Sequence, residues 1–185
     1  MVLMRLLALA TLLAGCLPKT AAVSAPPGAT AAVAVVQSPM DSRSVVDAPE
    51  LLVDTVRDRL DTRGLSPTVL GADDYADAFE RRRSTTHRLS HLSDEVDGER
   101  FVALVETNAR YFSQLNGRFR WEVDVVVSLA PDGAPAEATI DDFTVPVFLL
   151  FMHQGEREAV EAAASDIDRH LDRAISEFLG GLDTP

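Results

Sequence analysis

FVALVETNARYFSQLNGRFRWEVDVVVSL, residues 101 to 129, contains the pattern from which the fold can be worked out. Two runs of alternating polar and apolar residues flank an Asn-Gly pair, a pattern typical of a β-hairpin. A two-residue turn would place Arg110 opposite Val123 and mix polar with apolar side chains on one face. A three-residue loop with the glycine in the left-handed conformation shifts the register by one and sets Tyr111 against Trp121. We therefore predict a bulged hairpin with one face in the core.

The shifted register sorts the other side chains of the hairpin onto two faces. Its further core pairs are Ala109 with Val123, Thr107 with Val125 and Val105 with Val127, and its solvent face pairs Arg110 with Glu122. Phe112 turns away from the core in this register, among Arg110, Arg118 and Arg120. Its ring either lies beneath a neighbouring loop or anchors a partner, and both interpretations stay open. The aromatic pair on the core face is interpreted as packing and not as a ligand platform.

The segment before the hairpin predicts a strand, a helix and a second strand. The apolar, valine-rich run at residues 31–37 is typical of a buried strand. Asp47 is a good helix cap and predicts a helix over 48–63 that Gly64 ends. A strand near 67–70 completes a unit whose crossover favours parallel pairing.

The remaining elements are a weak helix, a third antiparallel strand and a long helix. We expect a helix followed by a loose loop over 73–93, and a strand over 139–145 after which Pro146 marks an edge or a bulge. The clearest helix is predicted over 156–179, ended by two glycines. Its apolar stripe consists of Val160, Ala164, Ile167, Leu171, Ile175 and Phe178.

This order of elements predicts one α/β domain over residues 31–182. We expect a mixed sheet in the order β-α-β-(α)-β-β-β-α with the helices packed on one face. The apolar run VPVFLLFM at 145–152 is too short to span a membrane, and an edge strand with one covered face buries only part of it. We therefore expect a partner surface that includes Phe148 together with three hairpin residues, Phe112, Arg118 and Arg120.

Composition and charge limit the classes of function. The chain is 46% hydrophobic and 25% charged, which is a globular composition. With 29 acidic against 17 basic residues, its net charge is −12, and such a surface repels nucleic acid and disfavours polybasic membrane docking. The single cysteine, Cys16, excludes an internal disulfide and a multi-cysteine zinc site.

The start of the chain explains the single cysteine. Residues 1–15 have a short positive start, an apolar block and small residues at its end, as in a secretory signal. Leu13-Ala14-Gly15-Cys16 resembles the lipobox of bacterial lipoproteins, whereas the alternative is an ordinary signal peptide with a chance cysteine. The resemblance implies cleavage before Cys16 and multiple acylation of that residue, palmitate included, which together anchor a protein stably.

The family's sorting pattern and the following composition predict the location of the domain. In that family the residue after the cysteine often decides sorting, and Leu17 favours the outer membrane. Residues 16–30 are rich in Ala and Pro and predict a flexible tether with a reach of roughly 20 Å. We expect the domain to hang near the bilayer and to face the periplasm, with surface exposure left open.

The candidate catalytic and ligand residues form no motif. His87 and His91 share a helical face if their segment is helical, but spacing marks no third ligand, so we expect no metal. Serines lack a G-x-S-x-G context and the glycines build no phosphate loop, so we expect no enzyme and no cofactor. The run at 81–83, three arginines, is interpreted as a solvated face, with an anionic-ligand patch as the alternative.

The strand order is also similar to that of small envelope lipoproteins. The residues that carry the similarity are the 31–37 strand, the 47–63 helix, the hairpin ending in NGRFRWEVDVVVSL and the alanine-rich last helix. The groups concerned are the curli-secretion and TolB amino-terminal-domain group, the lipopolysaccharide-assembly lipoprotein, and auxiliary lipoproteins of ABC transporters. The resemblance implies a non-catalytic binding or assembly module for an envelope protein complex. The alternatives are a lipid or small-ligand carrier and, in third place, a metal-dependent hydrolase.

Overall fold

The computed structural model describes residues 24–40, 44–80, 84–95 and 98–182. Within these residues, six strands form one mixed sheet: β1 (Ala29–Gln37), β2 (Val46–Asp47), β3 (Leu65–Val69), β4 (Phe101–Leu115), β5 (Arg118–Pro131) and β6 (Thr139–Leu149). The helices are α1 (Glu50–Thr62), α2 (Ala72–Phe79), α3 (Thr85–Glu95) and α4 (Glu156–Leu182), and a short 3-10 turn spans Pro135–Glu137. The α/β class predicted from the sequence is confirmed.

The sheet combines a parallel half with an antiparallel half. Its order is β2-β1-β4-β5-β6, and β3 pairs with β1 on the same side as β2. β1 is parallel to both β3 and β4, as expected for the crossover through α1. β4, β5 and β6 are antiparallel to one another, so β6 is an edge strand and accommodates Pro146, as predicted.

Helices cover both faces of the sheet, which corrects the expectation of one covered face. α1 and α4 pack on the face that holds Val33, Val105 and Val125. α2 and α3 pack on the opposite face through Tyr75, Leu89 and Leu92, against the alternate residues of β1 and β4, which are Ala32, Ala34, Val36, Val102 and Leu104. The physical reason is that β1 and the first half of β4 are apolar on both faces and need cover on both.

α3 replaces the loose loop expected after α2. Its segment begins with two threonines and holds four further polar residues before Leu92, so its helical signal is weak. Leu89 and Leu92 lie three residues apart on one side of the helix, and both are fully buried. Burial of these two side chains stabilises a helix that local propensity does not favour.

The β4–β5 hairpin has the predicted register but reaches it by a different turn. Tyr111 pairs with Trp121, and all the other predicted pairs are present. The turn itself has two residues, Asn116 and Gly117, with φ of 51° and 75°. A bulge at Phe112 supplies the one-residue shift that a three-residue loop was expected to supply.

Several boundaries differ from the sequence prediction. β1 begins at Ala29, and the Ala25 N–H donates to the Arg63 carbonyl at 2.9 Å, so the end of the predicted tether belongs to the domain. α1 begins at Glu50 without a side-chain cap, since the Asp47 carboxylate accepts the Tyr75 hydroxyl instead. α4 continues through both glycines to Leu182, and the predicted stripe is buried. Cys16 and the arginines at 81–83 lie outside the described residues.

Candidate functional site

Within the described residues, the part of the sheet's second face that helices leave uncovered lies on β5, β6 and the half of β4 that ends at the hairpin turn, and we call it the open face. Arg120 pairs with Phe148 of β6 on one side and with Ser113 of β4 on the other. The Arg120 guanidinium lies 4.4 Å from the centre of the Phe112 ring, which is a cation–π contact. The structure therefore brings together three of the four predicted surface residues.

The two aromatic rings of the open face are accessible. Phe112 is 55% exposed and Phe148 is 46% exposed. No neighbouring loop covers Phe112 within the described residues, so the contact-anchor interpretation is the one that the geometry supports. The fourth predicted residue, Arg118, is exposed too, but it lies beside Leu115 at the hairpin turn, farther along the sheet.

Acidic residues hold the arginines of the open face in place. The Glu122 carboxylate accepts from Arg110 and from Arg120, at 3.0 Å in each case. Its side chain is only 13% exposed, so both cations cover it. Asp124 lies 3.7 Å from Arg110 and accepts the Thr144 hydroxyl at 2.7 Å. The arginine above Phe112 is thus held in one orientation by Glu122 and by the ring.

Tyr111 does not lie in the core as expected. It packs edge-on against Trp121, with the ring centres 5.8 Å apart, yet it is 49% exposed. The last β1 pair on β4 is at Thr107, so Tyr111 lies four residues past the end of β1. Trp121 is partly buried against the core under α4.

The sequence did not identify the apolar residues at the ends of the strands as a group. Leu115, Leu150, Phe151 and Met152 are 55%, 59%, 57% and 83% exposed. Because Phe119 pairs with Leu149, the hairpin turn and the turn after β6 are neighbours at one end of the sheet. In the sequence, only the apolar run at 145–152 indicated this group. That the end of the run lies beside the hairpin turn follows from the pairing of β5 with β6.

Two further titratable groups, Glu106 and Tyr75, have partners that connect elements of the fold. Arg88 of α3 forms an ion pair with Glu106 of β4 at 2.8 Å, and burial raises the pKa of Glu106 although Arg88 opposes that shift. Burial, followed by the hydrogen bond to Asp47, raises the pKa of Tyr75 well above its usual range. These groups connect helices to the sheet.

A cleft of about 500 Å³ lies where β1 and β3 end and α1 begins. Asp47, Glu50, Asp54, Arg57 and Arg157 supply its charged groups. Val35 of β1 and Val69 of β3 line it on one side and residues of α1 and α4 on the other, and it opens to solvent. The space under α1 and α4 is filled by apolar side chains.

The two candidate metal ligands lie on α3. His87 and His91 line a shallow pocket with Ser90 and Asp94. Among the described residues, no group of three or more His, Cys, Asp or Glu side chains is placed to hold a metal ion. Within the same part of the chain, no helix is long and apolar enough to cross a bilayer.

Comparison with known proteins gives distant structural similarity only. The chain matches no protein-family model and no curated protein sequence. A Caulobacter crescentus protein described as a "putative lipoprotein" shares 16% identity over 56% of this chain and 89% of that chain, with a TM-score of 0.35. A hypothetical protein of Chlamydia trachomatis shares 9% over 82% and 98%, with a TM-score of 0.45. A Xanthomonas campestris protein of the DUF330 family shares 11% over 88% and 87%, with a TM-score of 0.38. At these identities and TM-scores, the similarity assigns neither a family nor a function.

Proposed function

We propose that this chain is a non-catalytic lipoprotein of the bacterial envelope that binds an envelope protein through its open face. The observation that carries the proposal is the pair of accessible rings, Phe112 and Phe148, on a part of the sheet that no described helix covers. Exposed aromatic rings beside an ordered arginine have the composition of interface hot spots. Acylated Cys16 holds the domain at the outer membrane in this proposal.

The position of the tether supports this arrangement. Ala25 is bonded beside the start of β3, and β3 pairs with the start of β1. β4 begins at the same end of the sheet, with Phe101 opposite Ala31. Fifteen residues of β4 carry the chain about 45 Å from there to the hairpin turn. A membrane anchor attached before Ala25 therefore leaves the far half of the open face accessible.

Preorganisation supports binding at this surface. Arg120 is already fixed by Glu122 and by the Phe112 ring, so little side-chain entropy is lost when a partner covers it. Phe148 is paired with Arg120, and Phe112 stands at a bulge between Tyr111 and Ser113, both of which are paired with β5. A partner needs apolar groups for the rings and an acceptor for the outer edge of the guanidinium.

Site-specific crosslinking in cells tests the binding surface. A photoreactive phenylalanine analogue replaces Phe148 in the full-length chain, and the captured envelope protein is identified by mass spectrometry. Ile140 is the matched control position, because it is on the same strand and the same face and is 49% exposed. We expect capture from position 148 and much less from position 140. Phe112→Asp should abolish capture from 148; equal capture from both positions, or capture that Phe112→Asp does not reduce, contradicts the proposal.

A separate experiment tests the anchor. Cys16→Ser removes the sulfur that the lipobox resemblance marks for acylation, so we expect loss of fatty-acid labelling and accumulation of uncleaved precursor. Membrane fractions of wild type and variant are compared after labelling. Normal processing of the variant would show that residues 1–15 act as an ordinary signal peptide. The lipid anchor would then be rejected, and the proposed binding by the open face would stand without it.

A further inference from the structure

The cleft of about 500 Å³ lies at a position where open α/β sheets bind ligands, and we call it the β1–β3 cleft. β1 and β3 are adjacent and parallel, so their carboxyl ends point to the same end of the sheet. The chain leaves β1 for α1 on one face and leaves β3 for α2 on the opposite face. A crevice outside the carboxyl ends of two such strands is a general ligand site, and its volume suits a small organic molecule.

The pairing of β1 explains why a cleft forms there. β3 pairs with β1 as far as Val33, and β2 begins to pair with it only at Val36. The backbone groups beside this gap are satisfied, because Leu70 N–H donates to the Val33 carbonyl at 2.8 Å and Ala48 N–H donates to the Val35 carbonyl at 3.1 Å. The gap therefore leaves space without leaving these strand groups unbonded.

Apolar side chains form part of the lining of the β1–β3 cleft. Val35, Val69 and Leu70 line it from the sheet side, Ala48 from the segment before α1, and Val53 from α1 itself. Val53 and Val69 are partly exposed. The cleft can therefore bury an apolar part of a ligand.

One side of α1 supplies most of the charged lining. Glu50, Val53, Asp54 and Arg57 are spaced i, i+3, i+4 and i+7, so they share one side of the helix, and all four line the cleft. Arg57 donates to the Asp54 carboxylate at 2.6 Å, which pairs these two charges with each other. Glu50 remains, in the first turn of α1, where the helix dipole favours a carboxylate.

Two charges of the cleft are left without a hydrogen bond. Asp47 accepts the Tyr75 hydroxyl at 2.6 Å, so Glu50 and Arg157 are the remaining pair. Among the described residues, the Glu50 carboxylate has no hydrogen bond and no ion pair. The Arg157 Nε atom lies 3.6 Å from the Glu161 carboxylate, which is beyond hydrogen-bond distance, and both side chains are exposed.

The other carboxylates at the start of α4 do not take up the charge of Arg157. Glu156 accepts the Met40 N–H at 3.3 Å, and Glu158 accepts the Gly155 N–H at 2.8 Å. Both therefore cap backbone groups. The guanidinium of Arg157 keeps its N–H donors available on the α4 side of the cleft.

The lining favours one class of ligand. Glu50 and Arg157 have opposite charges and line the same cleft, yet they form no ion pair with each other. A ligand with a single charge would leave one of them unpaired, whereas a ligand with a cationic and an anionic end pairs with both. We propose that the β1–β3 cleft binds a short apolar peptide with free termini, its ammonium at Glu50 and its carboxylate at Arg157. The apolar side chains of the peptide lie against Val35, Val53 and Val69.

This inference goes beyond the proposed function, because it adds a small-ligand site to a domain proposed to bind a protein. The β1–β3 cleft and the open face have no residue in common. The first lies at the parallel half of the sheet and the second at the antiparallel half. Each site can therefore be altered without a change in the other.

Calorimetric titration with blocked and unblocked dipeptides tests the proposal. The full-length chain is purified in detergent and titrated with leucyl-leucine, with detergent alone as the blank. We expect saturable binding with a Kd below about 1 mM. N-acetyl-leucyl-leucine and leucyl-leucine amide each lack one terminal charge, and glycylglycine lacks the apolar side chains. Each of these three should bind at least about tenfold more weakly.

Variants of the two charged residues assign each terminus of the peptide. Glu50→Gln should weaken leucyl-leucine about tenfold and leave N-acetyl-leucyl-leucine within about twofold, because that probe has no ammonium to lose. Arg157→Gln should behave in the same way toward the amide probe. Asp58→Asn on α1 and Arg169→Gln on α4 make the same changes of charge outside the cleft lining and should bind like the parent. Thermal unfolding confirms that each variant is folded.

Three results would overturn the peptide site: no saturable binding of leucyl-leucine, equal binding of the blocked probes, or equal losses in the two control variants. The probes are compared on the unaltered chain, so this part of the test does not depend on the folding of any variant. Crosslinking from position 148 should be unchanged in Glu50→Gln and Arg157→Gln. Loss of that crosslinking in both variants would mean that one site serves one partner, and it would overturn the separate peptide site. Dipeptide binding without any capture from position 148 would reject the proposed function and leave the peptide site in place.

Discussion

Arg120 holds its guanidinium 4.4 Å from the centre of the Phe112 ring, and Phe112 is the residue that the bulge adds to β4. The bulge therefore has two consequences. It keeps apolar residues of β4 on the core face despite a two-residue turn, and it places an aromatic ring beside the cation of the next strand. The cation–π contact on the open face therefore depends on Phe112, which has no pairing partner on β5.

We expect deletion of Phe112 to leave the fold intact. Removal of the bulge residue joins Tyr111 to Ser113, and both keep their partners on β5. The free energy of unfolding should change by less than about 1 kcal/mol, since the lost cation–π contact is exposed. Chemical denaturation measures this change.

Deletion of Ala109 is the matched control for that experiment. The bulge then closes to restore the ladder, which moves Arg110 opposite Val123 and buries its charge. We expect a loss of about 3 kcal/mol or more. Equal losses for the two deletions would show that the bulge residue is needed for the hairpin itself.

The ion pair between α1 and α4 should stabilise the fold measurably. Arg59 bonds both carboxylate oxygens of Asp168, at 2.8 and 2.5 Å, with about a quarter of each side chain exposed. The bond to Asp168 is the main reason that the pKa of Arg59 is raised. A double-mutant cycle with Arg59→Met and Asp168→Asn should give a coupling of about 1 kcal/mol that falls in high salt.

The exposed pair Asp54 and Arg57 serves as the control for this cycle. Both side chains are nearly half exposed, and the pair lies within one turn of α1. Its coupling should stay below about 0.5 kcal/mol. A coupling for Arg59 no larger than this would show that its bidentate geometry adds nothing.

The hydrogen bond from Tyr75 to Asp47 should be worth about 1 to 2 kcal/mol, because the tyrosine is fully buried and the acceptor is charged. Tyr75→Phe should lower the free energy of unfolding by that amount. Asp47→Ala should add little once Tyr75 is phenylalanine. Urea denaturation measures these changes. If Asp47→Ala lowers the free energy of unfolding equally in wild type and in Tyr75→Phe, Asp47 stabilises the protein as a helix cap and not through Tyr75.

Glu106 should make stability depend on pH. Burial raises its pKa above the ordinary 4.5, partly opposed by Arg88, so the folded state binds this proton more tightly than the unfolded state. Its contribution to the free energy of unfolding is fully present below the ordinary pKa and is lost as pH rises through the raised value. Unfolding of wild type and Glu106→Gln is compared across that range. The free energy of unfolding of wild type should fall relative to that of Glu106→Gln as pH rises. A difference between the two free energies that does not change with pH contradicts this prediction.

Local patterns were sufficient for elements with one dominant periodicity. The stripe of α4 from Val160 to Phe178 repeats at helical spacing, and all of it is buried. The alternation in β4 and β5 gave the correct pairs far from the turn, because a wrong register would place every side chain on the opposite face. The parallel pairing of β1 and β3 followed from the crossover through α1.

Local patterns failed where a distant partner decides the outcome. Asp47 has the sequence of a helix cap, but a tyrosine 28 residues away donates to it. The segment of α3 has weak helical propensity, and two leucines buried against the second face of the sheet stabilise it. Tyr111 alternates with core residues but lies past the end of β1, where cover is incomplete.

The amino-acid sequence alone was enough to predict the α/β class, the parallel and antiparallel halves of the sheet and the pairing in the central hairpin, because each depends on the period of apolar residues along one segment. Three further features became evident from the tertiary packing: helices cover both faces, Phe112 forms the bulge, and the turns at 115–118 and 150–153 meet at one end. The exposure of a side chain depends on which segments pack against each other. Contacts between residues far apart in the chain produce no periodic pattern of apolar residues in the local sequence.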